Sequence, residues 1–188
     1  MDYAKLSDLE LLRMVIGTRE AERLYGGKLA PLFVNAASGR RPHQRLAVAH
    51  ELVKRFLFEE LRRDQVFANP AAVKSFLLAL FAGKEHESFV VLFLDNQHRL
   101  IAAEELSRGT IDGAAVYPRE VVKATLRHNA AAVVISHNHP SGLAEPSAAD
   151  RALTTKLKEA LATVDVRVLD HLVVGGATAT SFAERGWL

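Results

Sequence analysis

Apolar positions along the first third of the chain recur at helical spacing. Leu6, Leu9, Leu12, Val15 and Ile16 follow a cap at Ser7 or Asp8, and Gly17-Thr18 and Gly26-Gly27 read as breaks between short helices. A third short helix is expected over residues 28–36, then a loop from Ala37 to Pro42. A longer amphipathic helix follows, with Leu46, Ala49, Leu52, Val53, Phe56, Leu57 and Leu61 on one face. Asn69 as cap and Pro70 as first helical residue open another, through Val73, Phe76, Leu77 and Leu80 to about Gly83.

From there the period changes. Phe89 to Leu94 is an unbroken apolar run of strand length, Asp95 to His98 a turn, and Leu100 to Leu106 a returning strand. Pro118 starts a helix to about Arg127, and Ala132 to Ser136 is a second buried strand. His137 to Pro146 reads as a loop, Ser147 as the cap of a helix to about Ala162, and Val166 to Val174 as a further strand ended by Gly175-Gly176. Strands alternating with helices that cover both sheet faces predict an α/β domain over residues 69–188, preceded by a small all-helical domain over residues 1–68.

Composition narrows the chemistry. With 49% hydrophobic and 24% charged residues the chain can bury a core without cross-links. It has no cysteine, which excludes disulfides, thiolate nucleophiles and thiolate metal ligands. The first residues are acidic where a signal peptide would be basic, and no apolar run spans a bilayer, so a cytoplasmic protein is expected. The net charge is +2, with 12 Lys/Arg against 9 Asp/Glu in residues 1–68 and 12 against 13 thereafter. That balance permits nucleic-acid binding by the front part without indicating it.

One segment carries a specific pattern. Directly after a buried strand comes His137-Asn138-His139, then Pro140, Gly142 and Pro146, then Ser147-Ala148-Ala149-Asp150. Side chains two apart on an extended segment share a side, so His137 and His139 can aim at one point. Asp150 sits in the first turn of the next helix, where the free N–H groups favour a carboxylate. Either fragment alone is ordinary loop or capping chemistry. Together they offer three ligands and an open position, the arrangement of a catalytic zinc site. His50-Glu51-Leu52-Val53-Lys54 misses the H-E-x-x-H zinc helix because Lys54 stands where the second histidine is needed.

The spacing H-x-H, seven residues, Ser, two residues, Asp, with the local string His-Asn-His-Pro-Ser-Gly, resembles the RadC-like proteins, a bacterial branch of the JAB/MPN superfamily with a JAMM motif. Glu87-Ser88-Phe89, Tyr117-Pro118-Arg119-Glu120-Val121 and Leu169-Asp170-His171 extend the likeness over residues 70–188. The resemblance implies a three-layer α-β-α, cytidine-deaminase-like domain with a mixed sheet. It implies a zinc metallopeptidase or isopeptidase acting on a peptide or protein, with His137, His139 and Asp150 holding Zn2+. Glu87 would be the general base, with Glu85 as its rival, and Ser147 would help stabilise the oxyanion. Asn138 and Ser141 are read as shaping the loop. Asp170-His171 is read as a core histidine first and as support for a ligand second. The remaining histidines His43, His86, His98 and His128 are read as surface residues.

Family members begin with a helix-hairpin-helix domain, which Leu6 to Leu12, Ile16-Gly17-Thr18 and Tyr25-Gly26-Gly27 resemble. Its phosphate-binding Gly-hydrophobic-Gly turn is replaced here by Gly39-Arg40-Arg41-Pro42. Arg40, Arg41 and Arg45 are then the candidates for weak, salt-sensitive DNA contacts, and a DNA repair or recombination accessory role is the alternative function. A metal-free scaffold is a third.

Overall fold

A computed structural model of the chain describes residues 2–33, 43–63, 69–109 and 116–188. In chain order the elements are α1 (Asp8–Ile16), α2 (Thr18–Leu24), α3 (Ala30–Phe33), α4 (Gln44–Arg63), α5 (Pro70–Phe81), β1 (Ser88–Leu94), β2 (Leu100–Arg108), α6 (Pro118–Arg127), β3 (Ala132–Asn138), α7 (Ala148–Ala162), β4 (Arg167–Gly175) and β5 (Thr178–Ser181). The strands form one sheet in the order β2-β1-β3-β4-β5, antiparallel except for the parallel β3–β4 pair.

The apolar run of β1 divides by parity into two cores, because successive side chains leave opposite faces of the sheet. Val90, Leu92 and Leu94 join Ala132, Val134, Leu172 and Val174 under α5, with Phe76, Leu77 and Phe81. Phe89, Val91 and Phe93 join Val133 and Ile135 under α6 and α7, with Val121, Ala124, Leu157 and Leu161. This is the expected mixed-sheet α/β architecture, helices on both faces and a helical segment before it. Among the described residues no helix is long and apolar enough to cross a membrane.

The helix caps follow the sequence signals. Ser7 and Ser147 each close a capping box, with Glu10 and Asp150 respectively, and Asn69 accepts from the N–H of Ala72. Three expectations differ. β3 runs on through His137 and Asn138, because parallel pairing to β4 continues to Val174. β4 includes Gly175, and after a turn at Gly176-Ala177 the chain returns as the four-residue β5, held by pairing that no periodicity announces. His128 is half-buried, bonded to Glu104 at 2.6 Å and set 4.5 Å from the Phe93 ring.

Helix α4 is turned relative to its apolar pattern. Leu52, Val53 and Phe56 are exposed, while Leu46 and Leu61 are buried. The inward seam also carries His50, whose Nε2 bonds the Ala79 carbonyl at 2.9 Å, a contact that hydrophobicity cannot predict. Leu46 belongs to the small core of α1 to α3, and Leu61 to the core between α5 and the sheet. One helix therefore serves both the helical front and the sheet. Leu61→Ala is expected to destabilise the whole chain by about 2–5 kcal/mol, the cost of a buried cavity. Denaturant unfolding checks this, and a loss under about 1 kcal/mol would mean that α4 is not anchored to the sheet as described.

Candidate metal centre

His137 lies on β3 with the same parity as Val133 and Ile135, and so faces α7. His139 follows two residues later, its backbone N–H bonded to the Val174 carbonyl at 2.8 Å. The chain then turns back, with Gly142 at φ 83° and its N–H on the His139 carbonyl at 3.0 Å, and enters α7 at Ser147. This loop lies tight against the end of β4: a Cβ on Gly175 would fall 2.3 Å from the Leu143 carbonyl carbon and 2.4 Å from the Ala144 nitrogen.

Three side chains converge. His137 Nε2 is 3.0 Å from His139 Nε2 and 3.1 Å from Asp150 Oδ1, and His139 Nε2 is 3.6 Å from Asp150 Oδ2. A tetrahedral zinc with bonds of about 2.0–2.1 Å requires ligand-to-ligand edges of about 3.3–3.4 Å. The Asp150 carboxylate is half committed to the helix: Oδ2 accepts from the Ser147 N–H at 2.6 Å and the Ser147 hydroxyl at 2.7 Å. Oδ1 faces His137.

The hydrogen bonds behind the histidines decide which nitrogens carry protons. The Leu143 carbonyl can only accept, so His139 Nδ1, at 2.8 Å, is its donor. The Thr154 hydroxyl donates to the Asp150 carbonyl at 2.6 Å, so it accepts from His171 Nδ1, also at 2.6 Å. Neutral His171 then offers a bare Nε2, and His137 Nδ1 donates to it at 2.9 Å. Both imidazoles of the cluster, when neutral, thus turn bare Nε2 atoms toward each other and toward a carboxylate. Lone pairs aimed at one another repel, and a cation among them removes the conflict. The donor set of two imidazoles and a carboxylate, with no thiolate, fits zinc and also iron, manganese or cobalt.

Electrostatics agree with this. Burial works against the charge on Asp150, but hydrogen bonds from His137 and His139, donated when those imidazoles are protonated, and from Ser147 overcome it and hold the carboxyl far below the usual range. The hydrogen bond to Asp150 raises the pKa of His139 despite partial burial, with smaller contributions from the Leu143 carbonyl and the charge of Glu87. Burial pushes His171 down to about 3, and the neighbouring His137 adds to this. His171 is walled in by Phe182, stacked at 4.7 Å, and by Phe89 at 6.3 Å.

Glu87 precedes β1 with the parity of Phe89, whose ladder partner is His137, and its charge is felt at His139. The rival Glu85 is exposed. Ser147 is engaged as the cap of α7. Arg40 and Arg41 lie outside the described residues. Arg45 is exposed, and its guanidinium donates to the Val15 carbonyl at 3.2 Å. His171, expected as a core residue first, is both buried and hydrogen-bonded to a candidate ligand. Thr154 and Gly175 have roles here that no motif marks. Thr154 stands one helical turn after Asp150 and so shares its face, a signal that was present; the closeness of Gly175 to the loop was not.

Residues 67–187 match the family model described as a RadC-like JAB domain. A UPF0758 protein of Methylibium petroleiphilum is 50% identical over 203 aligned residues, 98% of this chain and 91% of that protein. One from Azotobacter vinelandii is 46% identical, covering 97% of this chain and 90% of its own length. One from Vibrio parahaemolyticus is 50% identical over 150 residues, 80% of this chain and 67% of that protein.

Two outcomes are expected. Gly175→Ala forces the Leu143 carbonyl away from His139 and should weaken metal binding by about 10–100-fold. A chelator-competition titration measures it, and unaltered affinity would show that the loop yields without disturbing the histidine. Protons compete with metal for His139, and its raised pKa extends that competition above pH 6.5, the value of an unperturbed imidazole. Apparent metal affinity should therefore keep rising as pH increases past 6.5, and an affinity already level below that pH would contradict the pairing with Asp150.

Proposed function

Because this chain belongs to the RadC-like JAB domain family, we propose that it is a zinc-dependent hydrolase of amide bonds, a metallopeptidase or isopeptidase acting on a peptide or protein. The observation that carries this reading is the convergence of His137 Nε2, His139 Nε2 and Asp150 Oδ1 on one point.

His137, His139 and Asp150 would hold the zinc, and bound zinc would polarise the amide carbonyl and lower the pKa of a water to roughly 7. The protein's own residues supply the rest. Glu87 accepts the proton that the attacking water loses and returns it to the nitrogen of the leaving amine, so that the carbonyl gains one hydroxyl and the amine one hydrogen. Glu87 stands two residues before Phe89, the ladder partner of His137, and continued alternation of the backbone would turn its carboxylate to the side of the sheet where the ligands lie. His171 and Thr154 keep His137 in the tautomer that leaves Nε2 free. Ser147 fixes Asp150 Oδ2 and leaves Oδ1 to the metal. Its hydroxyl has a single proton, so stabilising an oxyanion requires that it turn away from Oδ2.

Glu87→Gln removes the proton acceptor and leaves the ligands intact. Hydrolysis in a screen of peptide and isopeptide bonds is expected to fall by about 10²–10⁴-fold, with zinc content by elemental analysis unchanged. Loss of zinc together with activity, or retention of full activity, would remove Glu87 from the role of base.

A further inference from the structure

The ladder between β1 and β3 ends with Phe89 opposite His137. The next rung would set Ser88 against Asn138, but there the backbone of β3 turns to its other neighbour, and the N–H of His139 goes to Val174 on β4. The side chain of Asn138 takes the place of the missing rung. Its Oδ1 accepts from the Ser88 N–H at 2.8 Å, and its Nδ2 donates to the His86 carbonyl at 3.0 Å. Asn138 is only 4% exposed. Glu87 lies between the two groups it grips. The Glu87 carbonyl in turn accepts from the Gly109 N–H at 2.8 Å. Residues 84–87 belong to no helix or strand, so these bonds, not a regular ladder, fix the backbone that carries the Glu87 side chain.

We propose that Asn138 is the positioning residue for Glu87, so that the stretch His137-Asn138-His139 places two metal ligands on one face and, through the residue between them, the base as well. The proposal rests on the reading of Glu87 given above. The alternation of a strand explains the division: residues 137 and 139 point toward α7, and residue 138 points away from it. The residue type follows from hydrogen-bond inventory. An N–H at residue 88 and a carbonyl at residue 86 need an acceptor and a donor at the end of one short side chain, and the asparagine amide supplies both. Aspartate lacks the donor, and alanine lacks both. Asn138 does not shape the loop that follows it, since its side-chain bonds go to residues 86 and 88, about fifty positions earlier.

The test needs no substrate. The full-length protein is labelled with 13C at glutamate carboxyls and loaded with Co2+, whose paramagnetism shifts and broadens nearby resonances. The Glu87 signal is the one missing from Glu87→Gln. In the wild type it should be the glutamate most affected by Co2+. In Asn138→Ala that effect should largely vanish, while Co2+ affinity changes far less than the about 10–100-fold expected when a residue supporting a ligand is removed. An undiminished effect on Glu87, or a loss of Co2+ affinity on that scale, overturns the proposal. Should Asn138→Ala not fold, Asn138→Asp has the same shape, keeps an acceptor for the Ser88 N–H and replaces the bond to the His86 carbonyl by repulsion between two acceptors. It should give an intermediate effect, and a wild-type spectrum overturns the proposal equally. Any peptide that the wild type cleaves should lose about 100-fold in kcat in Asn138→Ala, with KM little changed, as for a misplaced catalytic group. A Glu87→Gln protein that hydrolyses normally would dismiss the base and leave the spectroscopic result on Asn138 to stand by itself.

Discussion

A bare imidazole nitrogen of His137, within about 3 Å of both the bare Nε2 of His139 and a carboxylate oxygen of Asp150 at the edge of a core, is the constraint around which this domain is arranged. Neutral histidines would relax such a contact by turning or by exchanging tautomers. Neither is open to them here. Leu143 holds His139 from behind, and the line Asp150 carbonyl, Thr154, His171 holds His137. Both lines begin at backbone carbonyls, which accept and cannot donate. The proton positions are therefore set by the fold, and the cluster is left as a receptor for positive charge.

The same groups that build the fold build the centre. Asp150 is the third residue of a capping box and a candidate ligand at once, one oxygen to each task. β3 carries core valines at one end and the histidines at the other, and its parallel pairing with β4 brings His171 and Gly175 to the spot where one supports a ligand and the other leaves room for the loop. Fold stability and site geometry are consequently coupled. A change that loosens the end of β4 reaches His139 through Leu143.

The helical front is joined to the sheet through α4, which lends Leu46 to one core and Leu61 to the other. The continuity of α4 makes the front segment part of the packing of the sheet domain. Arg45, one of the arginines suited to phosphate, spends its guanidinium on the end of α1, which weakens the case for a nucleic-acid surface at that position.

Read by itself, the sequence determined the division into a helical front and an α/β body, the strands β1 to β4, the caps at Asn69 and Ser147, and the set His137, His139 and Asp150. Each is local: periods of 2 and 3.6, capping chemistry and ligand spacing act within a few residues, and the motif lies in one short stretch. Tertiary structure alone decided the inward face of α4, the pairing of β5, the support of His137 by His171 and Thr154, the approach of the loop to Gly175, and the reach of Asn138 across to residues 86 and 88. These join residues far apart in the chain through hydrogen bonds and close contacts, and neither leaves a periodic trace in a single sequence. Glu87 stands between the two cases: the family motif points to it, but only the pairing of β1 with β3 brings the strand it precedes against His137.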